Sequence, residues 1–280
     1  MSNDTLKLRN SHPRDSNIRF FEKGHKYEIT TDPKSKYTSV TTWNHSHFPK
    51  FDADAIIKNM MSSSKWAPGH KYWGLTPEQI KASWNTNRDS VASAGTDMHY
   101  EIECFNNDKR ITFDYTNKEL YEIYIGDHGR TLSDKSLEWQ YFINFVKDNQ
   151  HLKPYRTEWL VYHEDAKIAG AIDMVYENPD GTLSIYDWKR SKEINPNNNF
   201  GKFALNPLLN HIPDTNFWHY ALQLNTYKYI LESKYGKIIK DLYLVRLHPD
   251  NENKSYDLIK LPILKDEMDS LFEERINKNK

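Results

Sequence analysis

Residues 155–192 read YRTEWLVYHEDAKIAGAIDMVYENPDGTLSIYDWKRSK, and this stretch decides the fold. Apolar and polar residues alternate over 157–162, 168–176 and 183–188. Side chains of a β-strand point to opposite faces with a period of two, so the alternation predicts three strands. Both connections between them are short, which predicts an antiparallel meander.

The second connection fixes the register of the last two strands. Residues 179–181 (Pro-Asp-Gly) are typical of a three-residue loop, with Gly at the left-handed bulge position. Around that loop Asn178 pairs with Thr182. Counting outward from this pair places Asp173 opposite Asp187. Like charges directly opposite each other destabilise a sheet, so the pattern predicts a divalent cation between the two carboxylates.

Two further residues belong to this pattern. Lys189 lies two residues beyond Asp187 and therefore projects from the same face, which brings an ammonium group to the carboxylates. Gly170 leaves room for another chain or a substrate backbone to come close. The alternative interpretation is that Asp173, Asp187 and Lys189 form an ordinary solvated face of a half-buried sheet.

The chain resembles the PD-(D/E)xK nuclease superfamily in four segments that follow the family's order. Residues 170–173 and 187–189 match its G-x-x-D…D-x-K pattern, with the PD motif reduced to Ile-Asp. The similarity is greatest to the RecB-type exonuclease branch, which includes phage and viral exonucleases and the mitochondrial genome maintenance exonuclease. That branch carries G-T-x-x-H and Q-x-x-x-Y segments, matched at 95–99 and 223–227. A weaker H-x-Y…S-V-T match covers residues 25–41.

The resemblance implies a fold of the α/β (α+β) class. In this restriction-endonuclease-like core, a central mixed sheet with an antiparallel meander is flanked by helices. It also implies a Mg²⁺- or Mn²⁺-dependent deoxyribonuclease that holds one or two ions. The implied substrate is DNA with single-stranded ends or flaps, cut by an exonuclease in replication, repair or recombination. Replication or recombination proteins are then candidate partners.

The resemblance also assigns roles to residues. The catalytic residues would be Asp173, Asp187 and Lys189. The metal ligands would be Asp173, Asp187, His99 and the Trp188 carbonyl, with Glu158 either a further ligand or an ordinary charge on the strand face. Because imidazole is a more usual ligand of Mn²⁺ than of Mg²⁺, His99 favours manganese. The residues expected to contact DNA or to support the ligands are Glu103, Gln223, Tyr227, Ser39, Thr41, Arg190 and Lys202.

Spacing supports some of these roles and leaves others open. Glu103 lies one helical turn from His99 and could orient its imidazole, and Gln223 lies one turn from Tyr227. The hydroxyls of residues 39–42 could contact phosphates or simply cap the next segment. Residues 195–210, which include Lys202, predict a long exposed loop that is either a lid or a disordered insertion.

Composition limits the function classes. The chain has 280 residues, 38% of them hydrophobic, and a net charge of −1, so any DNA site must be local. Cys104 is the single cysteine, which excludes disulfides within the chain and an iron–sulfur cluster. There is no phosphate-binding loop for ATP and no apolar run of membrane-spanning length. We expect an intracellular protein of a reducing compartment, cytoplasm or nucleus, without an evident mitochondrial import signal.

The predicted organisation is a flexible segment, 1–17, followed by a single nuclease domain, 18–280. Within that domain, 18–75 would be a hairpin and helix extension, and 76–280 the nuclease core. The hairpin is predicted from 20–29 and 37–43, with its turn at 32–35. Helices are predicted at 52–61, from Thr76 onward, and at 117–124, 137–146, 217–232 and 266–277, and late strands at 241–247 and 255–261.

Other functions compete with the exonuclease. A catalytically inactive DNA-binding or recombination scaffold could retain the fold, but the intact Asp173, Asp187 and Lys189 argue against it. A structure-specific endonuclease would use the same residues. Glycoside hydrolysis by paired carboxylates would need a second carboxylate in an apolar pocket, which the pattern does not provide.

Overall fold

The computed structural model describes residues 5–111, 114–129, 135–197 and 201–280. The α-helices of these residues are α1 (Thr5–Arg9), α2 (Val40–His45), α3 (Ala53–Met61), α4 (Pro77–Asn106), α5 (Asn117–His128), α6 (Leu137–Asp148), α7 (Asn216–Tyr235) and α8 (Lys265–Lys278). The strands are β1 (Ile18–Phe21), β2 (Lys26–Ile29), β3 (Thr38–Ser39), β4 (Lys153–His163), β5 (Ile168–Glu177), β6 (Leu183–Lys189), β7 (Ile239–Arg246) and β8 (Asp257–Lys260).

A mixed six-stranded sheet is the centre of the fold. Strands β4, β5 and β6 form the predicted antiparallel meander, β7 runs parallel to β6, and β8 is antiparallel to β7. Strand β4 pairs with one edge of β5 along most of its length. Strands β3 and β6 both pair with the other edge of β5, where β3 runs parallel to it and β6 antiparallel. Between β3 and β6, residues 170–173 of β5 pair with no strand of the described residues on that edge.

The sheet is packed between two groups of helices, which confirms the predicted mixed α/β architecture. One buried apolar cluster joins the strands to α2, α7 and α8. A second joins them to α4, α5 and α6 and contains the large rings of Phe142, Phe145 and Trp188. Among the described residues, no helix combines the length and apolar character needed to cross a membrane.

The predicted meander register is confirmed. The Asn178 N–H donates to the Thr182 carbonyl at 2.8 Å, and Gly181 has a φ of +78°. The ladder runs from Glu177↔Leu183 to Met174↔Tyr186. One further step of the same register places Asp173 opposite Asp187.

Helix boundaries follow local capping. Thr76 and Gln79 form the predicted capping box, with Pro77 in the first turn. The helix that begins there is continuous for 30 residues, from Pro77 to Asn106. The Ser39 hydroxyl accepts a hydrogen bond from the Thr42 N–H at the start of α2, as the capping interpretation predicted.

The expectation of a flexible segment 1–17 is wrong for residues 5–17, while 1–4 lie outside the described residues. Leu6 is buried, and a 3₁₀-helix spans Pro13–Asn17. The Asp15 carboxylate accepts hydrogen bonds from Arg156 at 2.8 Å and from Trp159 at 3.0 Å. These long-range contacts fix a segment whose own composition is polar.

The predicted hairpin is also wrong in its pairing. The observed hairpin pairs β1 with β2, so both of its strands come from residues 18–29. Gly24 and His25 form the turn between them, and both have positive φ. Residues 37–43 instead supply β3 and most of α2. The positive φ values at residues 24 and 25 allow a tighter turn than the Pro-containing segment at 32–35.

The segment 195–210, predicted to be a long exposed loop, is partly buried. Residues 198–200 lie outside the described residues, but Ala204, Leu209 and Ile212 are buried in the cluster that joins the sheet to α7 and α8. A 3₁₀-helix spans Pro207–Leu209. The described part after the gap is therefore anchored to the core.

Gly170 makes close packing of α7 against β5 possible. An added Cβ would lie 2.8 Å from Cε1 and 2.9 Å from Oη of Tyr227, and 3.0 Å from Cγ2 of Val40. A side chain of this protein thus occupies the space that the sequence interpretation left for a substrate.

We predict that Gly170→Ala lowers the free energy of unfolding by about 1–3 kcal/mol, because overpacking a buried contact shifts its neighbours. Gly95→Ala is the matched control, since an added Cβ there meets no atom within 4 Å. Replacing this helical Gly by Ala should stabilise by about 0.5–1 kcal/mol. Urea denaturation of both variants measures the difference, and a Gly170→Ala protein as stable as wild type would contradict this packing.

Candidate metal centre

Four elements converge beside the free edge of β5. Strand β5 supplies Asp173, β6 supplies Asp187 and Lys189, β4 supplies Glu158, and α4 supplies His99. The structure thus brings together the five side chains on which the sequence prediction of a metal site depends.

Glu158 reaches the cluster through a strained backbone. Its φ is +43°, in the left-handed region that non-glycine residues seldom adopt. The ladder pairs on either side are Thr157↔Met174 and Trp159↔Ile172, so Glu158 interrupts β4 opposite Asp173. Such strain costs about 1–3 kcal/mol and is concentrated at functional sites.

Three side chains form a compact group of possible ligands. Ligand atoms of His99, Glu158 and Asp173 all lie within 4.8 Å of one another. Nδ1 of His99 is 3.5 Å from Oδ2 of Asp173 and 4.0 Å from Oε1 of Glu158. One imidazole nitrogen and two carboxylates at this spacing can surround a single ion.

The Trp188 backbone orients this group. Nε2 of His99 lies 2.9 Å from the Trp188 carbonyl oxygen, and the Trp188 N–H donates to Oδ2 of Asp173 at 3.1 Å. Donation from Nε2–H to the carbonyl leaves the Nδ1 lone pair facing the carboxylates. The Trp188 carbonyl, which was predicted to be a metal ligand, thus contacts His99 and selects the tautomer of its imidazole.

Asp187 and Lys189 form a buried ion pair next to these ligands. Nζ of Lys189 is 2.5 Å from Oδ2 of Asp187, and their side chains are 17% and 3% exposed. Nζ also lies 4.7 Å from the ring centroid of Tyr220 on α7. Burial disfavours the ammonium form, but Asp187 and Asp173 outweigh it and raise the pKa of Lys189. The lysine is therefore charged at neutral pH.

The carboxylates near the site carry more negative charge than the Lys189 ammonium can balance. Burial and Asp173 raise the pKa of Asp187 to about 6, although Lys189 opposes the shift. Burial and the carboxylates of Asp173, Glu103 and Asp187 raise the pKa of Glu158 to about 9. The Glu158 side chain is 38% exposed, so solvent screens part of this repulsion. A divalent cation would favour the ionised forms of all four carboxylates.

The predicted DNA contacts on α7 are only partly accessible. Tyr227 is 4% exposed and packs over Gly170, so its assignment to the DNA backbone is corrected: it supports the edge of β5. Gln223 is half-buried one turn before it. Tyr220, which the sequence interpretation missed, lies seven residues before Tyr227 on the same side of the helix, and this spacing could have identified it.

The other predicted contacts are scattered. Arg190 Nε donates to Oε1 of Glu138 at 2.7 Å, so this guanidinium ties β6 to α6. Thr41 is exposed on α2, whereas Ser39 caps that helix. Lys202 is exposed in the segment after the gap. Glu103, in contrast, is close enough to Glu158 to raise its pKa.

An open groove of about 870 Å³ reaches the ligands from one side. It lies between the β1–β2 hairpin, α4 and β4, and its walls include Phe20, His25 and Tyr27 as well as His99 and Glu158. Burial and Glu158 raise the pKa of Tyr27 to about 12, so its phenol remains a hydrogen-bond donor. The groove makes His99 and Glu158 accessible from the surface.

The raised pKa values predict how stability depends on pH in a chelator. A carboxyl whose folded pKa exceeds its unfolded value contributes stability that is complete below the unfolded pKa and is lost as pH rises through the folded pKa. Glu158 goes from 4.5 to about 9 and Asp187 from 3.8 to about 6. Below pH ~6.5 the lowered pKa values of the buried His47 and His163 act in the opposite sense, because their neutral folded forms gain stability as pH rises. The free energy of unfolding should therefore fall as pH rises from about 6.5 to about 9, the range in which Glu158 loses its proton.

Denaturant titrations across this range check the prediction. Glu158→Gln should flatten the curve above pH ~6, where the Asp187 contribution is already lost. Glu252→Gln, which removes an exposed carboxylate elsewhere, should retain the wild-type slope. A Glu158→Gln curve parallel to wild type would show that Glu158 is not repelled by its neighbours.

Comparisons with known proteins add no family assignment. No family model matches the chain, and no curated protein matches it. One similar solved structure is described as the crystal structure of SSO0001, with 16% identity and a TM-score of 0.25. The match covers 57% of this chain and 64% of that chain, so it spans less than two thirds of the other protein. Similarity this low carries no argument about family or function.

Proposed function

We propose that the protein is a metal-dependent deoxyribonuclease that hydrolyses phosphodiester bonds. The observation that carries this proposal is the grouping of His99, Glu158 and Asp173 within 4.8 Å, beside a buried Lys189. If these residues only stabilised the fold, a strained Glu158 facing other carboxylates would be a cost without a benefit. A hydrolytic metal site needs both an excess of negative charge and a nearby cation.

The ligand set fits Mn²⁺ or Mg²⁺. Carboxylate oxygens suit both ions, and the imidazole nitrogen favours manganese. The charges fit as well, since four carboxylates face a single buried ammonium. His99, Glu158 and Asp173 would hold one ion, and Asp187 would contribute to the same ion or to a second one.

Lys189 and His99 would have separate roles in the reaction. A bound ion supplies an activated water and neutralises charge on the phosphate. Lys189, fixed by Asp187 and by the Tyr220 ring, would orient the nucleophile and stabilise negative charge that develops on the phosphoryl oxygens. The His99 hydrogen bond to the Trp188 carbonyl would keep the imidazole in its coordinating tautomer.

The resemblance to RecB-type exonucleases supports single-stranded DNA ends or flaps as the substrate. It also supports a role in replication, repair or recombination. The groove beside His99 and Glu158 is open at the surface, which is consistent with a flexible strand that enters from one side.

Digestion of end-labelled linear and covalently closed circular single strands tests this proposal. We expect the linear strand to be degraded with Mn²⁺ at least as fast as with Mg²⁺, and neither strand to be cut in chelator. Asp173→Asn serves as the inactive control. Undiminished digestion in chelator would exclude the metal mechanism. Equal rates on circles would indicate an endonuclease, and no digestion with bound Mn²⁺ would indicate an inactive scaffold.

Lys189→Met should lower kcat by about 10²–10³-fold, because it removes a preorganised charge at the reacting phosphate. Mn²⁺ affinity, measured by calorimetry at pH 8, should remain, since an ammonium has no lone pair for a metal. Lys192→Met is the matched control because Lys192 is exposed and three residues away. Loss of Mn²⁺ binding in parallel with cleavage would give Lys189 a structural role instead.

A further inference from the structure

A connected series of aromatic rings lies between α3 and the start of α4. Neighbouring rings in the series have centroids 4.9 to 6.1 Å apart. In order, the rings belong to Trp73, Trp66, His70, Tyr72, Trp84 and Phe51. We call this series the aromatic strip.

The aromatic strip is not the core of a packed unit. Within residues 50–88, only Ile57 and Ile80 are buried hydrophobic residues. The two ends of the strip are open to solvent, with Phe51 74% and Trp73 45% exposed. An exposed apolar patch of this kind marks a binding surface.

The charge around the aromatic strip selects an acidic ligand. Residues 50–89 contain six Lys and Arg but four Asp and Glu, in a chain whose net charge is −1, and two of these cations, Lys81 and Arg88, are paired with Asp54 and Asp89. Lys50, Lys58 and Lys65 are exposed and form no ion pair with any described residue. Nζ of Lys71 lies 5.1 Å from the ring centroid of Tyr72. Exposed aromatic rings in a segment with unpaired cations are the features that hold single-stranded nucleic acid.

Helix α4 connects the aromatic strip to the metal centre. It is continuous from Pro77 to Asn106 and carries both Trp84 and His99. These two residues are 15 positions apart, which is about 22 Å along a helix axis. Trp84, Arg88, Gly95 and His99 follow the spacing of one helix side. Residues 85–97 of the helix are largely exposed, so that side is accessible.

We propose that the aromatic strip binds the bases of single-stranded nucleic acid and that the strand continues along α4 to the metal centre. At the stacked spacing of about 3.4 Å per nucleotide, 22 Å corresponds to roughly six nucleotides. A duplex hides its base faces and cannot stack on the rings in this way. The continuation to the metal centre rests on the proposed nuclease function, whereas base binding by the aromatic strip does not.

Fluorescence anisotropy with labelled dT20 in chelator tests the inference without cleavage. Phe51→Ala and Trp73→Ala should each weaken binding by about tenfold, which is typical of a lost base-stacking contact. Both side chains are exposed, so both variants should fold. Ile238→Ala is the matched control, because it truncates an apolar side chain that is 67% exposed outside residues 50–88. It should bind dT20 like wild type.

The salt dependence of binding gives an independent measurement. The double variant Lys58→Gln/Lys65→Gln should reduce the slope of log affinity against log salt by about 1.4, since each contact to a single strand contributes about 0.7. Unchanged dT20 affinity in both aromatic variants would overturn the inference. Equal affinity for a 20-base-pair duplex would also overturn it.

The two proposals can fail separately. If wild type does not cut DNA with Mn²⁺ but loses dT20 binding in the Trp73→Ala variant, the aromatic strip is a binding site and the nuclease proposal is wrong. If wild type cuts DNA while the aromatic variants bind and cut normally, the nuclease proposal stands and the aromatic strip is not its binding site.

Discussion

Mutual repulsion of carboxylates is the constraint on which the centre of this structure depends. Two unit charges about 5 Å apart repel by roughly 3 kcal/mol at an effective dielectric of 20. The register of the meander, continued one step beyond its last pair Met174↔Tyr186, brings Asp173 towards Asp187, and Glu158 adds a third carboxyl group from β4 through its left-handed backbone. The ammonium of Lys189 is paired with Asp187, so the ion-free protein relieves the repulsion on the β4 side through a proton on Glu158, whose pKa burial and the neighbouring carboxylates raise to about 9.

The surrounding fold holds these charges in place. Strand β3 pairs with the beginning of β5 and strand β6 with its end, both on the same edge. Residues 170–173 lie between these two paired regions. Tyr227 packs onto Gly170 at this gap, while Tyr220 on the same helix lies against Lys189. Helix α4 then brings His99 to the opposite side, where the Trp188 carbonyl orients it. A cation bound between these carboxylates would relieve their repulsion.

The features that could be predicted from sequence are those with local causes. The loop at 179–181 fixed the register of β5 and β6, because a three-residue turn determines which residues pair. The two-residue period placed Lys189 beside Asp187. Thr76, Pro77 and Gln79 began α4 through a capping box, which requires no tertiary contact.

The features that could not be predicted depend on distant contacts or on backbone strain. No residue-type rule places Glu158 at φ +43°, since glutamate has no preference for that conformation. Residues 5–17 are ordered by contacts such as that of Asp15 with Arg156, 141 positions along the chain. The burial of Tyr227 depends on how α7 is rotated against the sheet, which an isolated helix motif does not specify.

Calorimetric titration of Mn²⁺ into wild type and Asp173→Asn tests the central claim most directly. Wild type should bind the ion, and Asp173→Asn should lose more than about 100-fold in affinity, because changes in outer-shell partners alone cost about 10–100-fold. Asp266→Asn, which alters an exposed carboxylate on α8, should titrate like wild type. Identical Mn²⁺ binding by wild type and Asp173→Asn would contradict the account.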